Sequence, residues 1–279
     1  MAAIDVYSLL ILREPLSAIT HLCGAACFAA MGVDLLRRGR GDVVHMGSLL
    51  ILATASVVLL TTSGLYHSMW PGPWRSLLVR ADVSAVFLLI AGSLTPVHAI
   101  LFRGLERWVP LALIWTTAIL GIALRVAYFD SLSGEAGIGI FLLFGWSGAV
   151  TSIVVSVRYG WAFVRNGVFS GCAYTVGAIV LASHRPTLLP GIIGPHELWH
   201  LAVLAGLALH WRFVFQFASG ELPAARQRLL PVSQAAIEQP RQRPAIESTL
   251  IQAIPDFSIR ARGEILIPPQ ATYEQRRAA

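Results

Sequence analysis

The segment HELWHLAVLAGLALH, residues 196–210, places His196 and His200 four residues apart at the start of an apolar run. On an α-helix this spacing brings both imidazoles to one face, about 6 Å apart along the axis, which suits a single tetrahedral metal ion. Glu197 completes the HExxH pattern of zinc proteases, where it would be the general base. A pair of polar residues at a membrane interface is the third interpretation, so the segment alone leaves all three open.

Polar residues elsewhere point to the same end of the molecule. The segment TTSGLYHSMW places Ser63 and His67 four residues apart near the end of an apolar run, and Asp82 begins the next run. An even number of membrane crossings precedes Asp82, His196 and His200, so parity brings them to the face that holds Ser63 and His67. Three histidines and a water are the open coordination of a catalytic zinc, with a carboxylate left to orient or deprotonate the water.

Other polar residues fit this site less well. His210 lies fourteen residues beyond His196, about 21 Å along a helix, so we expect it to be hydrogen-bonded near the opposite surface. His21 begins the first apolar run on the correct face and is a candidate for a supporting contact. Glu14, just before that run, is interpreted as solvated.

The composition is that of a protein with several membrane spans. Of the 279 residues, 56% are hydrophobic and 13% are charged, and the mean hydropathy is +0.67. These values exclude an ordinary soluble domain. The net charge of +6 comes from arginines scattered between apolar runs, which indicates anchoring at a membrane surface and not nucleic-acid binding.

Seven apolar runs are long enough to cross a bilayer, and none has the period-two alternation of a barrel strand. We therefore predict an all-α integral membrane protein, with an N-terminal segment (1–15), a seven-helix domain (16–218) and a polar, partly disordered tail outside the membrane (219–279). The predicted spans are 16–36, 44–68, 82–101, 108–128, 137–158, 167–183 and 196–218. The distribution of arginines favours an external N-terminus and a cytoplasmic tail.

Several of these segments resemble the bacterial hemolysin III proteins, which belong with the progestin and adiponectin receptor family and, more remotely, with alkaline ceramidases. The resemblance extends from residue 14 to about 218 and leaves the tail uncovered. The matching segments are EPLSAITHLCGA (14–25), SGLYH (63–67) followed by Asp82, AGSLTP (91–96) and HELWHLAVLAGLALH (196–210).

This resemblance implies a seven-helix bundle in which zinc is held by three histidines, here His67, His196 and His200. It also implies that Asp82 holds the zinc-bound water and that Ser63 is a nearby polar support. Two positions depart from the family pattern: Val83 stands where bacterial members usually have His, and Ser17 stands where Asn is usual. Neither position is an implied ligand, so the departures affect the residues around the ligands and not metal binding itself.

The resulting hypothesis is a zinc-dependent intramembrane hydrolase of lipid-like amides or esters, with Asp82 and Ser63 assisting catalysis. A membrane lipid or other acyl chain would be its substrate, entering a cavity among helices two, three and seven. The alternative is a non-enzymatic protein, receptor-like, acting in membrane homeostasis or pore-forming, in which zinc is structural. An intramembrane protease is a further alternative, although no later span supplies a third ligand. The resemblance to bacterial proteins implies the inner (cytoplasmic) membrane.

Overall fold

Eight α-helices make up the part of the chain that the computed structural model describes, residues 12–131 and 133–222. Helices α5 and α6 together form one span, so there are seven helices long and apolar enough to cross a membrane. The predicted all-α, seven-span architecture is confirmed, and the described residues form no strand. The helices are α1 (Pro15–Arg38), α2 (Val43–Ser68), α3 (Pro73–Leu101), α4 (Leu105–Ala127), α5 (Gly134–Gly145), α6 (Ser147–Tyr159), α7 (Trp161–Ser183) and α8 (Pro195–Phe215).

Two of the predicted segments fall largely on residues that the structure does not describe. The predicted N-terminal segment, 1–15, has only its last four residues in the described part, and the predicted tail, 219–279, only its first four. The division of the chain into a membrane domain and a tail therefore stays a prediction.

Helix α3 begins nine residues earlier than the predicted third span. Pro73 is its first residue, a position where proline costs no helical hydrogen bond. Arg75 and Arg80 lie in this early part of the helix and lower its hydropathy, which is why the apolar run begins only at residue 82. Asp82 consequently lies about two and a half turns inside α3 and not at its start.

The fifth span is interrupted in its middle at Trp146, directly after Gly145. The backbone N–H of Trp146 donates to the carbonyl oxygens of both Leu142 and Phe144, and α6 begins at the next residue. Glycine is a common site of such breaks because it has no side chain to hold the helix in register. The span is therefore two short helices, and residues on both sides of the break line a cavity described below.

Helix α2 lies at the centre of the first half of the bundle, packed against α1 and α3, while α8 packs against α7 and contacts α1 and α3. The buried core includes Trp211 of α8, whose side chain reaches across to α2. Its indole N–H donates to the hydroxyl of Ser56 over 3.1 Å. Both residues are fully buried, at 0% exposure. Because a buried donor that loses its partner is costly, this bond favours the present alignment of α8 with α2.

Candidate metal centre

Three histidines meet where the C-terminal end of α2 approaches the N-terminal end of α8. His67 lies in the last turn of α2, and His196 and His200 lie near the start of α8. The Nε2 atoms of His67 and His196 are 3.4 Å apart, and those of His196 and His200 are 3.1 Å apart. One ring nitrogen from each histidine lies within 4.8 Å of the other two. The fold thus brings together the three residues predicted as ligands.

The nitrogen spacing fits a single tetrahedral metal ion. Ligands at the usual Zn–N distance of 2.0–2.1 Å place neighbouring nitrogens about 3.3 Å apart, close to the two separations measured here. His67 and His200 are buried, at 1% and 3% exposure, while His196 is half-buried. Three such ligands leave the fourth tetrahedral position for a water or substrate, as in catalytic sites. The group could therefore hold a metal ion with one open position.

A carboxylate lies beside the three histidines. Ser63 is one turn before His67 on α2 and is buried, and its side chain is close enough to the carboxylate of Asp82 on α3 for a polar interaction. Asp82 is also near enough to His67 for an electrostatic interaction between the two side chains. The predicted pair of Asp82 and Ser63 is thus found next to the histidines, with Asp82 outside the group of three candidate ligands.

Glu14 contacts the centre, and the sequence-based interpretation of a solvated residue was wrong. Its Oε2 accepts a hydrogen bond from His67 Nδ1, and its Oε1 accepts from Arg75 over 3.1 Å. Burial alone would raise the pKa of Glu14, but the hydrogen bond from His67 and the charge of Arg75 outweigh it and lower the pKa to about 2. Glu14 is therefore ionised against His67.

A signal for Glu14 and Arg75 was present in the sequence. Glu14 precedes the first span and Arg75 lies between the second and third, so the parity that gathered the histidines also places this opposite-charge pair at their end of the bundle. Charged residues near helix ends are usually solvated. For that reason Glu14 was interpreted as solvated and was not paired with Arg75.

The carboxylate of Glu197 has a structural task. Its Oε2 accepts from the backbone N–H of Gly194 over 2.9 Å, which is the glutamate half of a capping box at the start of α8, since Gly194 has no side chain to form the other half. Such boxes satisfy N–H groups that a helix start leaves without a partner. The other oxygen, Oε1, lies 3.5 Å from the hydroxyl of Ser17. The HExxH pattern would make Glu197 a general base, but both of its carboxylate oxygens contact residues at the ends of helices, Gly194 before α8 and Ser17 in the first turn of α1.

Two other buried histidines, His21 and His210, lie in different surroundings. His21 of α1 contacts His200, with ring centroids 4.1 Å apart, and is buried at 3% exposure. Neither ring nitrogen of His21 makes a well-aligned hydrogen bond among the described residues. His210 instead bonds to the carbonyl oxygen of Ser93 over 2.9 Å, which confirms the prediction of a hydrogen-bonded residue outside the site.

A cavity of about 650 Å³ lies between the helices and opens to the surface of the bundle, and its volume is typical of sites for small organic ligands. Its walls come mainly from α3, α5, α6, α7 and α8, and α2 contributes only Leu59. The sequence predicted a cavity among the second, third and seventh spans; this cavity is lined by the third and seventh spans (α3 and α8), but the second span adds only Leu59 and the fifth and sixth spans supply much of the wall. On α8 the cavity reaches Trp199, the neighbour of His200, but the metal-site histidines do not line it.

Comparison with known families gives a match over most of the chain. The model of a family described as haemolysin-III related matches residues 9–211. This stretch contains every described residue of the centre, from Glu14 to His200.

Relatives with curated names agree with this match. Hemolysin-3 of Bacillus cereus is 30% identical over 207 residues, covering 71% of this chain and 88% of that protein. A Hemolysin-3 homolog of Bacillus subtilis (strain 168) is 26% identical over 203 residues, which cover 70% of this chain and 90% of that protein. An adiponectin receptor protein of Drosophila melanogaster is 26% identical over 221 residues, which are 71% of this chain and 49% of the receptor.

Proposed function

The chain belongs to the haemolysin-III related family, and on that premise we propose that its three-histidine centre binds zinc and hydrolyses lipid-like amides or esters within the membrane. The observation that carries the proposal is the pair of Nε2 separations, 3.4 and 3.1 Å, among His67, His196 and His200. A centre with three neutral nitrogen ligands and a fourth open position is the type used in catalytic zinc sites.

Zinc held this way supplies a Lewis acid and lowers the pKa of water towards about 7. The protein's own part in the reaction falls to Asp82 and Ser63. Asp82 would accept a proton from the attacking water and return it to the leaving nitrogen or oxygen as the acyl carbon–heteroatom bond breaks. Ser63, whose side chain lies near that carboxylate, would donate a hydrogen bond to it and hold it in position. Acid–base assistance of this kind contributes about 10²–10⁴ to a rate.

The cavity supports an acyl chain as the part of the substrate that is bound. Its lining is predominantly apolar, and it extends from Trp199, next to His200, to His210 near the other end of α8. An acyl chain lying there would place its head towards the histidines and its tail along the helix. The partner proposed for this protein is accordingly a membrane lipid or another molecule with an acyl chain.

A second candidate is a non-enzymatic protein in which the metal is structural. The names of the relatives favour it, since they describe hemolysins and a receptor. Structural zinc sites normally have four protein ligands, and in this candidate Asp82, whose side chain interacts electrostatically with His67, would supply the fourth. X-ray absorption of the metal-loaded protein separates the two candidates, because direct coordination by Asp82 with no water favours the structural one.

We place the protein in the bacterial inner membrane, with the C-terminal tail in the cytoplasm. Seven apolar helices and bacterial relatives support the membrane, and the arginine distribution supports the orientation. A reporter enzyme that is active only in the cytoplasm, fused after Ala279, should be active. An active periplasmic reporter at the same position would reverse the orientation.

The hydrolase is tested with the purified, zinc-loaded chain and two fluorogenic substrates that share one acyl chain, an amide and an ester. Wild-type protein should release product from at least one of them. Asp82→Asn should reduce that rate at least about 10²-fold while retaining the metal, because the carboxylate is not among the three ligands. An equal rate in Asp82→Asn, or no hydrolysis by metal-loaded wild type of either substrate, would refute the assigned role.

A further inference from the structure

We infer that Glu14 is a positioning residue for the metal centre, which orients His67 so that its Nε2 faces His196 and His200. The inference rests on the metal site of the proposed function. It concerns a residue at the start of α1, outside the histidine and aspartate pattern that identified the centre.

Glu14 is joined to His67 in two ways. Its backbone N–H donates to the carbonyl oxygen of His67 over 3.1 Å, and its side chain accepts from Nδ1 of the same residue. Glu14 occupies the N-cap position of α1 but makes no side-chain capping bond to its own helix. The carboxylate, which could have capped α1, is instead used to hold the last turn of α2.

Arg75 holds the other side of the Glu14 carboxylate. One guanidinium nitrogen donates to Glu14 Oε1, and another donates to the carbonyl oxygens of Tyr66 and Met69 over 2.8 and 2.9 Å. The guanidinium also lies 4.1 Å from the centre of the Tyr66 ring. Arg75 therefore binds the end of α2 and the carboxylate at once, and it fixes Glu14 relative to the helix that carries His67.

The hydrogen bond between Glu14 and Nδ1 of His67 determines which nitrogen of His67 can bind a metal. A neutral imidazole has one N–H donor and one acceptor nitrogen. A carboxylate that accepts at Nδ1 keeps the proton there and leaves the lone pair on Nε2. Nε2 is the atom 3.4 Å from His196 Nε2. The contact thus selects both the tautomer and the ring orientation that ligation requires.

The other buried ligand, His200, lacks such a partner. Its Nδ1 makes no hydrogen bond within the described residues, and its ring instead contacts His21. Of the two buried candidate ligands, His67 alone is held by a charged group, so it should be the one that is sensitive to removal of a carboxylate. The side chains of Glu14 and Arg75 are 18% and 11% exposed, which limits competition from water.

The test measures zinc affinity by chelator competition on the full chain purified in detergent. Glu14→Ala should weaken zinc binding by about 10–100-fold, the usual effect of removing a group that orients a ligand. Glu14→Gln should lose less, because its amide oxygen still accepts from Nδ1. The matched control is Asp34→Asn, an exposed carboxylate on the same helix that pairs with Arg38, and it should bind zinc like wild type.

Cobalt(II) substitution separates positioning from general stability. The visible spectrum of the cobalt-loaded protein should change in Glu14→Ala, since one imidazole would bind in a different geometry or not at all. Wild-type zinc affinity together with a wild-type cobalt spectrum in Glu14→Ala would overturn the inference. If instead the wild-type chain bound no zinc, or His67→Ala bound it fully, the proposed metal site itself would be wrong.

Discussion

Ser56 and Trp211 are joined by a buried hydrogen bond that links α2 to α8 at equal numbers of residues from the candidate ligands His67 and His200. Ser56 lies eleven residues before His67 on α2, and Trp211 lies eleven residues after His200 on α8. Eleven residues of helix extend about 16.5 Å. Because the C-terminal end of α2 meets the N-terminal end of α8, equal lengths of helix lead from the bond to the two histidines. The bond therefore favours an alignment in which His67 and His200 lie at the same height along the two helices.

This relationship predicts energetic coupling between Ser56 and Trp211. Ser56→Ala leaves the buried indole N–H without its partner and should cost about 1–3 kcal/mol of unfolding free energy. Trp211→Phe removes the same bond, so the double variant should be less destabilised than the sum of the two single variants by at least about 0.5 kcal/mol. Thermal unfolding in detergent measures all three.

Ser48→Ala is the matched control for this cycle. Ser48 is also buried on α2, but its hydroxyl donates to the carbonyl oxygen of His45 in its own helix. Its effect should add to that of Trp211→Phe without coupling. Strict additivity for the Ser56 and Trp211 variants would show that the bond does not link the two helices energetically.

Gly64 permits the close approach of α1 to α2 beside the centre. A Cβ atom at this position would lie 2.7 Å from the Leu22 side chain and 3.2 Å from the carbonyl oxygen of Ala18. Gly64→Ala should therefore push α1 away, lower the unfolding free energy by about 1–3 kcal/mol and weaken zinc binding, because Glu14 and His21 move with α1. Thermal unfolding and chelator competition measure the two effects.

Gly47 provides the control on the same helix. Nothing lies within 4 Å of a Cβ atom placed there, so Gly47→Ala should be neutral or stabilising by up to about 1 kcal/mol, since alanine favours helix. If the two substitutions had the same effect, close packing at Gly64 would not be the cause.

The cavity predicts a substitution that blocks acyl binding without disturbing the fold. Gly171 lines the cavity, and a Cβ atom there would meet nothing within 4 Å, so Gly171→Leu should extend into the empty space. We expect it to reduce crosslinking by a photoreactive fatty-acid analogue several-fold. Gly139→Leu, at a position equally open but outside the cavity lining, should label like wild type. Equal labelling of both variants would place the acyl chain elsewhere.

Glu197 distinguishes the hydrolase from the protease alternative. Its carboxylate caps α8 through Gly194. The amide oxygen of Glu197→Gln can still accept that hydrogen bond, so the variant should lose less than the roughly 0.5–2 kcal/mol of a missing cap and retain most of any hydrolytic rate. In a protease of the HExxH type the same change removes the general base. Loss of all activity in Glu197→Gln, with full activity in Asp82→Asn, would require the protease mechanism.

Much of the architecture followed from the sequence because membrane crossing imposes length and hydropathy. The same constraint made parity informative, so the order of the spans along the chain was enough to assign Ser63, His67, Asp82, His196 and His200 to one face. Helix α3 was predicted too short because Arg75 and Arg80 lie within its first turns, where hydropathy does not distinguish a helix from a loop.

Two features depended on packing and could not be inferred from spacing. The contact of Glu14 with His67 requires the start of α1 to lie against the end of α2, and a charged residue before a span ordinarily faces water. The cavity depends on how the fifth span packs after its break at Trp146. Both features depend on contacts between side chains of different helices. The residues that make such contacts have no fixed separation along the chain, so spacing does not reveal them.

Zinc content tests the central claim most directly. The full chain, purified in detergent and freed of loosely bound metal, should contain about one zinc per molecule by elemental analysis. His67→Ala should lose it, whereas His45→Ala, at the opposite end of α2 beside Asp42, should retain it. Full zinc retention by His67→Ala, or a wild-type chain that takes up no zinc, would contradict the proposed centre.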